Sequence, residues 1–321
     1  MQLPWQRSNR DRFVVLGRVG MDLYADPPGT RIDHAGRYVA AIGGSAGNIA
    51  VGLARQGVPV GLVTCISDDA VGRFCLAELC RYGVDTRHIS MTGGETRTSL
   101  AITETVAVDC QTVLYRNRAS DLFLRDSDVQ SIGFADVAAL VVTGTALAAD
   151  PSRSAARRAM ALARAAGAHV VLDIDYRAYS WTTPDEAAEV CRDVALLSDI
   201  VIGNDLEFGL LAGGPALGMD FAADLVKRGA IFTIYKQGSE GSVTYAGDAS
   251  FVTPIFPVTA LKPTGAGDGF LAGLLAGLAQ GEALDIAVRR GSATAALVVA
   301  GIGCAPASPD ESTLRRFIQS F

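Results

Sequence analysis

The run Lys262-Pro263-Thr264-Gly265-Ala266-Gly267-Asp268-Gly269-Phe270 leads directly into an apolar stretch, residues 271–279, with helical character. Small residues at a helix start leave backbone N–H groups pointing outward, and with the helix dipole they form an anion hole suited to a phosphate in transfer. Asp268 falls in the first turn. As a phosphate ligand a carboxylate there would repel the anion, but it suits a base that takes a proton from an attacking hydroxyl. The bland alternative is a glycine-rich turn with Asp268 as a helix-dipole partner.

Three further clusters carry similar promise. Gly43-Gly44-Ser45-Ala46-Gly47-Asn48 separates a strand-like segment, 38–42, from a helical one, and Asn48 offers donors and acceptors suited to a polyhydroxylated ligand. The cluster also satisfies the GxSxG pattern of a hydrolase nucleophile elbow at Ser45, but that arrangement needs a histidine late in the chain and none follows His169. Asn204 and Glu207 lie one helical turn apart after an apolar strand, so both can reach a hydrated Mg²⁺ or the phosphates it carries; they equally form a capping box. Lys236-Gln237-Gly238-Ser239-Glu240-Gly241 combines a cation with glycines that admit a nucleotide backbone, or is simply a hairpin turn. Lysine occurs only at 227, 236 and 262, so each invites a question.

The elements that must position these groups follow from hydrophobic patterning. Apolar runs of strand length at 13–19, 60–66, 139–143, 169–174, 199–202 and 231–236 alternate with helix-period segments at about 46–56, 70–83, 151–166, 184–197 and 218–229. Such alternation builds a mostly parallel sheet covered by helices on both faces, and from about residue 269 the chain is nearly all helical. Asp150-Pro151 reads as a helix start, and Gly57, Gly83 and Gly167 as helix ends. Residues 20–42 and 94–118 break the pattern; the second contains a hairpin, and together they suggest a small β lid or an oligomer contact. The expected organisation is a tail over 1–12 and one α/β domain over 13–321.

Composition narrows the partners. The 321 residues are 49% hydrophobic and 19% charged, with net charge -6, a balance that builds a large core and argues against nucleic acid or anionic lipid as partners. No apolar run approaches the ~18 residues of a membrane span, and residues 1–12 lack the apolar core of a secretory signal, so a cytoplasmic location is expected. Six scattered cysteines and three histidines show no metal-ligand spacing and read as buried reduced thiols and ordinary histidines. The chain has no Gly-Lys dipeptide, and Gly17-Arg18-Val19-Gly20 is not GxGxxG, so the two commonest nucleotide loops are excluded.

Gly43-Gly44 with Asn48, Asp68-Asp69 with Gly72, and the 262–275 segment with its Gly265-Ala266-Gly267-Asp268 core together resemble the signatures of the ribokinase-like (PfkB) family of carbohydrate kinases. The resemblance spans residues 13–310 and implies a three-layer α/β/α sandwich with a mostly parallel central sheet and a small β lid. It implies ATP and Mg²⁺ as cofactors, Asp268 as catalytic base, and Gly265, Ala266 and Gly267 as the anion hole. Thr264, Asn204, Glu207, Lys236, Gly238 and Gly241 would serve the nucleotide, with Glu207 reaching Mg²⁺ through water or phosphate. Asp22, Gly44 and Asn48 would hold sugar hydroxyls under the lid, and the exposed lid sheet could supply a homodimer contact.

Further segments, 17–24, 143–147 and 173–181, with Tyr115-Arg116 and Asp121-Leu122, are similar to those of the family's sugar-acid kinases of inositol breakdown. The implied reaction is phosphorylation of 5-dehydro-2-deoxygluconate at its primary hydroxyl. A 2-keto-3-deoxygluconate kinase or a fructokinase is the alternative within the family, and a non-catalytic sugar-binding protein the alternative outside it. A sugar acid needs a cation, and arginine binds a carboxylate through two parallel bonds. Arg116 and Arg177 match positions where related kinases hold the substrate carboxylate. Two departures stand out. Lys262 replaces an aspartate that helps many relatives bind a monovalent cation, so its ammonium could stand for the ion and little potassium dependence is expected. Asp175 stands where relatives often have asparagine.

Overall fold

The computed structural model describes residues 10–321. In chain order the elements are β1 (Arg12–Leu16), β2 (Gly20–Asp26), β3 (Arg37–Gly43), α1 (Ser45–Arg55), β4 (Val60–Ser67), α2 (Ala70–Arg81), β5 (Ile89–Thr92), β6 (Ser99–Thr103) and β7 (Thr112–Tyr115). There follow α3 (Asp126–Gln130), β8 (Val137–Thr143), α4 (Ser152–Ala165), β9 (His169–Asp173), α5 (Pro184–Leu196), β10 (Ile200–Asn204), α6 (Asp205–Ala212) and α7 (Gly218–Lys227). The remainder is β11 (Phe232–Lys236), β12 (Ser242–Ala246), β13 (Ala249–Thr253), α8 (Ala266–Ala279), α9 (Leu284–Ala300) and α10 (Glu311–Gln319).

The larger sheet has nine strands in the order β13-β12-β11-β10-β9-β8-β1-β4-β5. Pairing is parallel from β11 through β5, and only β12 and β13 run antiparallel at one edge. Because successive side chains point to opposite faces, each central strand feeds two cores. Phe13 and Val15 pack with α1, α8 and α9, whereas Val14 and Leu16 pack with α4 and its neighbours. This is the three-layer sandwich that the patterning requires, and its central positions are mostly apolar.

A separate sheet of order β3-β2-β6-β7 comes from the two irregular segments, 20–42 and 94–118. Its hairpin pairs β6 with β7 antiparallel, Leu100 opposite Tyr115. Residues 1–9 of the expected tail lie outside the described residues. Arg12 is already in β1 and pairs with Asp136 at 2.9 Å.

Local boundaries differ from expectation for identifiable reasons. β1 stops at Leu16 rather than Val19, where a Cβ on Gly17 would lie 2.1 Å from Thr143 Oγ1. α4 is capped by the backbone of Pro151 rather than by Asp150, whose carboxylate instead accepts from Ser154 N at 3.1 Å and Ser154 Oγ at 2.6 Å. Gly57, Gly83 and Gly167 do end helices, with φ of +79°, +80° and +77°. Asp69 accepts from Val71 N and Gly72 N to cap α2, and Gly72 passes so close to the Ser67 carbonyl that a Cβ would meet it at 1.9 Å. Of the cysteines, Cys80 is exposed and Cys110 half-buried, a correction to the expectation that all six are buried.

Candidate active site

α8 begins at Gly265, whose left-handed φ of +83° turns the chain sharply into the helix. A Cβ there would lie 2.4 Å from Cys304 Sγ, so only glycine fits. No side chain caps this end. The first-turn N–H groups of Ala266, Gly267 and Asp268 therefore keep their full anion-binding capacity. Above them stands Lys236 at the end of β11, its Nζ 3.2 Å from where a Cβ on Gly267 would be. A cation and a helix N-terminus thus converge on one point.

Asp268 lies on that turn and accepts from Asn48 Nδ2 at 2.7 Å. Burial and then the carboxylate of Asp175 push its carboxyl up to about 6, against the pull of the Asn48 bond, Arg177 and Lys236. A carboxylate so poised is ionised at neutral pH and is more basic than an ordinary aspartate.

The turn forms one wall of a cavity of about 850 Å³ that also meets Asp173, Asp175, Arg177, Asn204, Glu207, Lys236, Gly238 and Gly241. Asn204 and Glu207 do form the capping box: Asn204 Oδ1 accepts from Glu207 N at 2.9 Å, and Glu207 Oε2 accepts from Asn204 N at 2.7 Å. Glu207 Oε1 takes a second N–H, from Tyr176, at 3.1 Å. Capping and cavity lining are therefore compatible, the first fixing the groups for the second. With its oxygens so engaged, Glu207 would reach a metal through water or phosphate. Among the described residues no cluster of three acidic, histidine or cysteine side chains could cage a metal. The 238–241 turn is both the hairpin connection of β11 to β12 and cavity wall.

Sequence reading missed part of this cavity. Ile255, Phe256, Pro257 and Val258 with Ala295, Ala296 and Val299 give it an apolar slot. Their signal is weak, because a proline-flanked connector and small helix residues look like ordinary packing. Asp173 was also hidden, as the last residue of an apolar strand; it is buried, and burial pushes its carboxyl well above the usual range.

On the lid side, Asp22 is 7% exposed and its Oδ2 accepts from Tyr24 Oη at 3.0 Å. Asp22 Oδ1 and Asn48 Oδ1 are buried acceptors without a hydrogen-bond partner. Thr264 Oγ1, at the anion hole, is likewise buried and unpartnered. Buried polar atoms are seldom left so. Gly44 has φ +85°, and a Cβ there would lie 2.5 Å from the Arg18 carbonyl, which explains the glycine at the turn into α1. Ser45 Oγ donates to Asp175 Oδ2; it is bonded to a carboxylate rather than to a histidine.

The two arginines separate. Arg177 lines the cavity and pairs with Asp175 Oδ1 at 2.9 Å. Arg116 is held by the protein itself: Nε and Nη2 bind Asp121 Oδ2 at 3.2 and 2.5 Å, Nη2 also reaches the Thr145 carbonyl at 2.9 Å, and Nη1 donates to Ser180 Oγ at 2.8 Å. Four of the five Arg116 guanidinium donors are thus used within the protein, and one is left. Lys262 is fully buried, its Nζ donating to the carbonyls of Thr264 at 2.8 Å and Val298 at 3.2 Å. Carbonyl oxygens are what a bound monovalent cation would use.

Residues 10–311 match the model of the pfkB family carbohydrate kinases. A curated 5-dehydro-2-deoxygluconokinase of Photobacterium profundum is 40% identical over 96% of this chain and 94% of its own length. One of Geobacillus thermodenitrificans is 33% identical over 99% and 96%. Among solved structures, a fructokinase double mutant from Vibrio cholerae O395, with fructose, ADP and potassium ion bound, superposes with a TM-score of 0.85 at 26% identity, covering 97% of this chain and 99% of that one. These likenesses define a phosphotransferase that acts on a sugar hydroxyl. The chain belongs to the pfkB family of carbohydrate kinases.

Proposed function

We propose that this kinase transfers the γ-phosphate of ATP to the primary hydroxyl of 5-dehydro-2-deoxygluconate in inositol catabolism, in the cytoplasm. The observation that carries this reading is Asp268 on the uncapped turn of α8, hydrogen-bonded to Asn48 and faced by Lys236. Asp22, Gly44 and Asn48 hold the sugar, the two orphaned acceptors receiving its hydroxyl protons. Asp268 takes the proton of the attacking hydroxyl. The hydroxyl oxygen bonds to the γ-phosphorus as the bond to ADP breaks, and the N–H groups of Ala266, Gly267 and Asp268 with Lys236 hold the transferred charge. Asn204 and Glu207 would hold Mg²⁺ through water, and the ion would supply positive charge to the nucleotide phosphates. Thr264, Gly238 and Gly241 border the nucleotide, whose base fits the apolar slot at Phe256.

Arg177 supplies the cation that a sugar acid needs, supported by its place on the cavity wall and by the relatives' names. The lid sheet presents Tyr38, Val39, Val113 and Tyr115 to solvent, and a second copy of the chain would cover them. A 2-keto-3-deoxygluconate or fructose kinase would share the mechanism. Phosphorus NMR of the product tests the reading: a phosphomonoester coupled to methylene protons supports it, and a phosphate on a ring or chain CH contradicts it.

A further inference from the structure

Asp175 has no part in the mechanism above, yet its surroundings are specific. It follows β9 at the carboxyl end of the sheet, is 3% exposed, and has a left-handed φ of +38°, which a residue with a Cβ seldom adopts. Its carboxylate gathers three segments distant in sequence. Oδ2 accepts from Ser45 Oγ, at the start of α1, and from Thr145 Oγ1 at 3.1 Å, just after β8. Oδ1 pairs with Arg177 Nη2 at 2.9 Å. The turn that carries Arg177 is tied down at its other end by Arg116, through Ser180 Oγ at 2.8 Å. Strained backbone held by a fully engaged carboxylate, beside a candidate base, is a functional arrangement rather than a packing one.

We propose that Asp175 is a positioning residue for the phosphoryl transfer, aiming the Arg177 guanidinium into the cavity and setting the electrostatic field at Asp268. This rests on Asp268 being the base. The charged and polar groups that act on Asp268 come from four places: Asn48 on α1, Asp173, Asp175 and Arg177 at the end of β9, Lys236 on β11, and Cys304 behind α8; beyond them, Glu207 acts on Asp173 and Arg177, and Lys262 on Cys304. Among the side chains, Asp175 does most to raise Asp268, and Arg177 opposes it. The pair therefore acts as a matched couple: the anion keeps the base strong, and the cation it holds meets the anionic substrate.

The test is the pH profile of kcat with saturating Mg-ATP and sugar acid. In Asp175→Asn the acid limb should move to lower pH by about half a unit or more, and KM for the sugar acid should rise about tenfold while KM for ATP holds. Arg177→Met should move the limb the opposite way, to higher pH, and serves if the first variant does not fold. Thr145→Val removes a bond to the same carboxylate without changing charge, so its limb should stay in place. A lowered plateau with an unmoved limb in the first two variants, or a shifted limb in Thr145→Val, would overturn the proposal. Loss of the base reading shows separately, as retained turnover in Asp268→Asn.

Discussion

Asn48 and Asp268 stand 220 positions apart, yet Asn48 Nδ2 donates to Asp268 Oδ2 at 2.7 Å. The bond exists because the first turns of α1 and α8 meet, and the helices approach closely where Gly52 faces Ala272, with room for a Cβ only 2.5 Å from Ala272 Cβ. It fixes one carboxylate oxygen and leaves the other for a substrate hydroxyl. The amide oxygen of Asn48, buried and unpartnered, is left for a second hydroxyl. One contact thus joins the glycine cluster of the early signature to the aspartate of the late one.

Removing the base while keeping its shape should abolish most chemistry. Asp268→Asn should lose at least ~10²-fold in kcat, with KM for ATP little changed. Steady-state kinetics measure both, and near wild-type kcat would remove Asp268 from its role.

The raised carboxyl of Asp268 also has a sign for stability. Its folded value, about 6, lies above the unfolded 3.8, so between these values the folded state binds more protons. The group's contribution to stability therefore falls as pH rises through that window and is a standing cost above it. Asp268→Asn, which carries no charge, should melt at a higher temperature than wild type near pH 8, with the gain shrinking near pH 4. A lower melting temperature near pH 8 contradicts the burial argument.

Gly265 admits no side chain. With φ +83° and Cys304 Sγ 2.4 Å from a would-be Cβ, Gly265→Ala must shift the first turn of α8. Displacing anion-hole donors should cost about 10²–10³ in kcat, while sugar binding, measured by equilibrium titration without ATP, persists. Unchanged kcat would show that the turn is not the phosphate site.

Lys262 brings its own cation. With Nζ already on the Thr264 and Val298 carbonyls, wild-type turnover should be the same in potassium and sodium buffers. Several-fold activation by potassium contradicts this. Lys262→Met, which leaves those carbonyls facing an apolar chain, should lower kcat.

The arginines should fail differently. Arg177→Ala should raise KM for a sugar acid and leave folding intact, because the side chain is 45% exposed. Arg116→Ala strips the buried partner of Asp121, 5% and 3% exposed, and should destabilise the fold by about 3–5 kcal/mol in denaturant titration. The reverse pattern would return Arg116 to the substrate.

Sequence made the layers legible because strand and helix periods are local. The 169–174 run became β9 and the 184–197 segment α5, within a residue or so. The turn into α8 was legible for the same reason: Gly265 through Asp268 are contiguous. What could not be read is what tertiary partners decide. Arg116 carries no mark of the Asp121, Thr145 and Ser180 groups that occupy it. Lys262 carries no mark in the sequence of the Thr264 and Val298 carbonyls that close around its ammonium. Phe256 and Ala295 become a slot only when the 254–260 connector crosses α9.

The central claim is kinase activity on a sugar acid, and substrate-dependent ADP release tests it most directly. Purified protein with Mg-ATP should be challenged with 5-dehydro-2-deoxygluconate, 2-keto-3-deoxygluconate, fructose, ribose and adenosine. ADP release that clearly prefers the first compound, and falls away for it in Arg177→Ala, is the result expected here. Turnover confined to a neutral sugar, insensitive to Arg177, would contradict it.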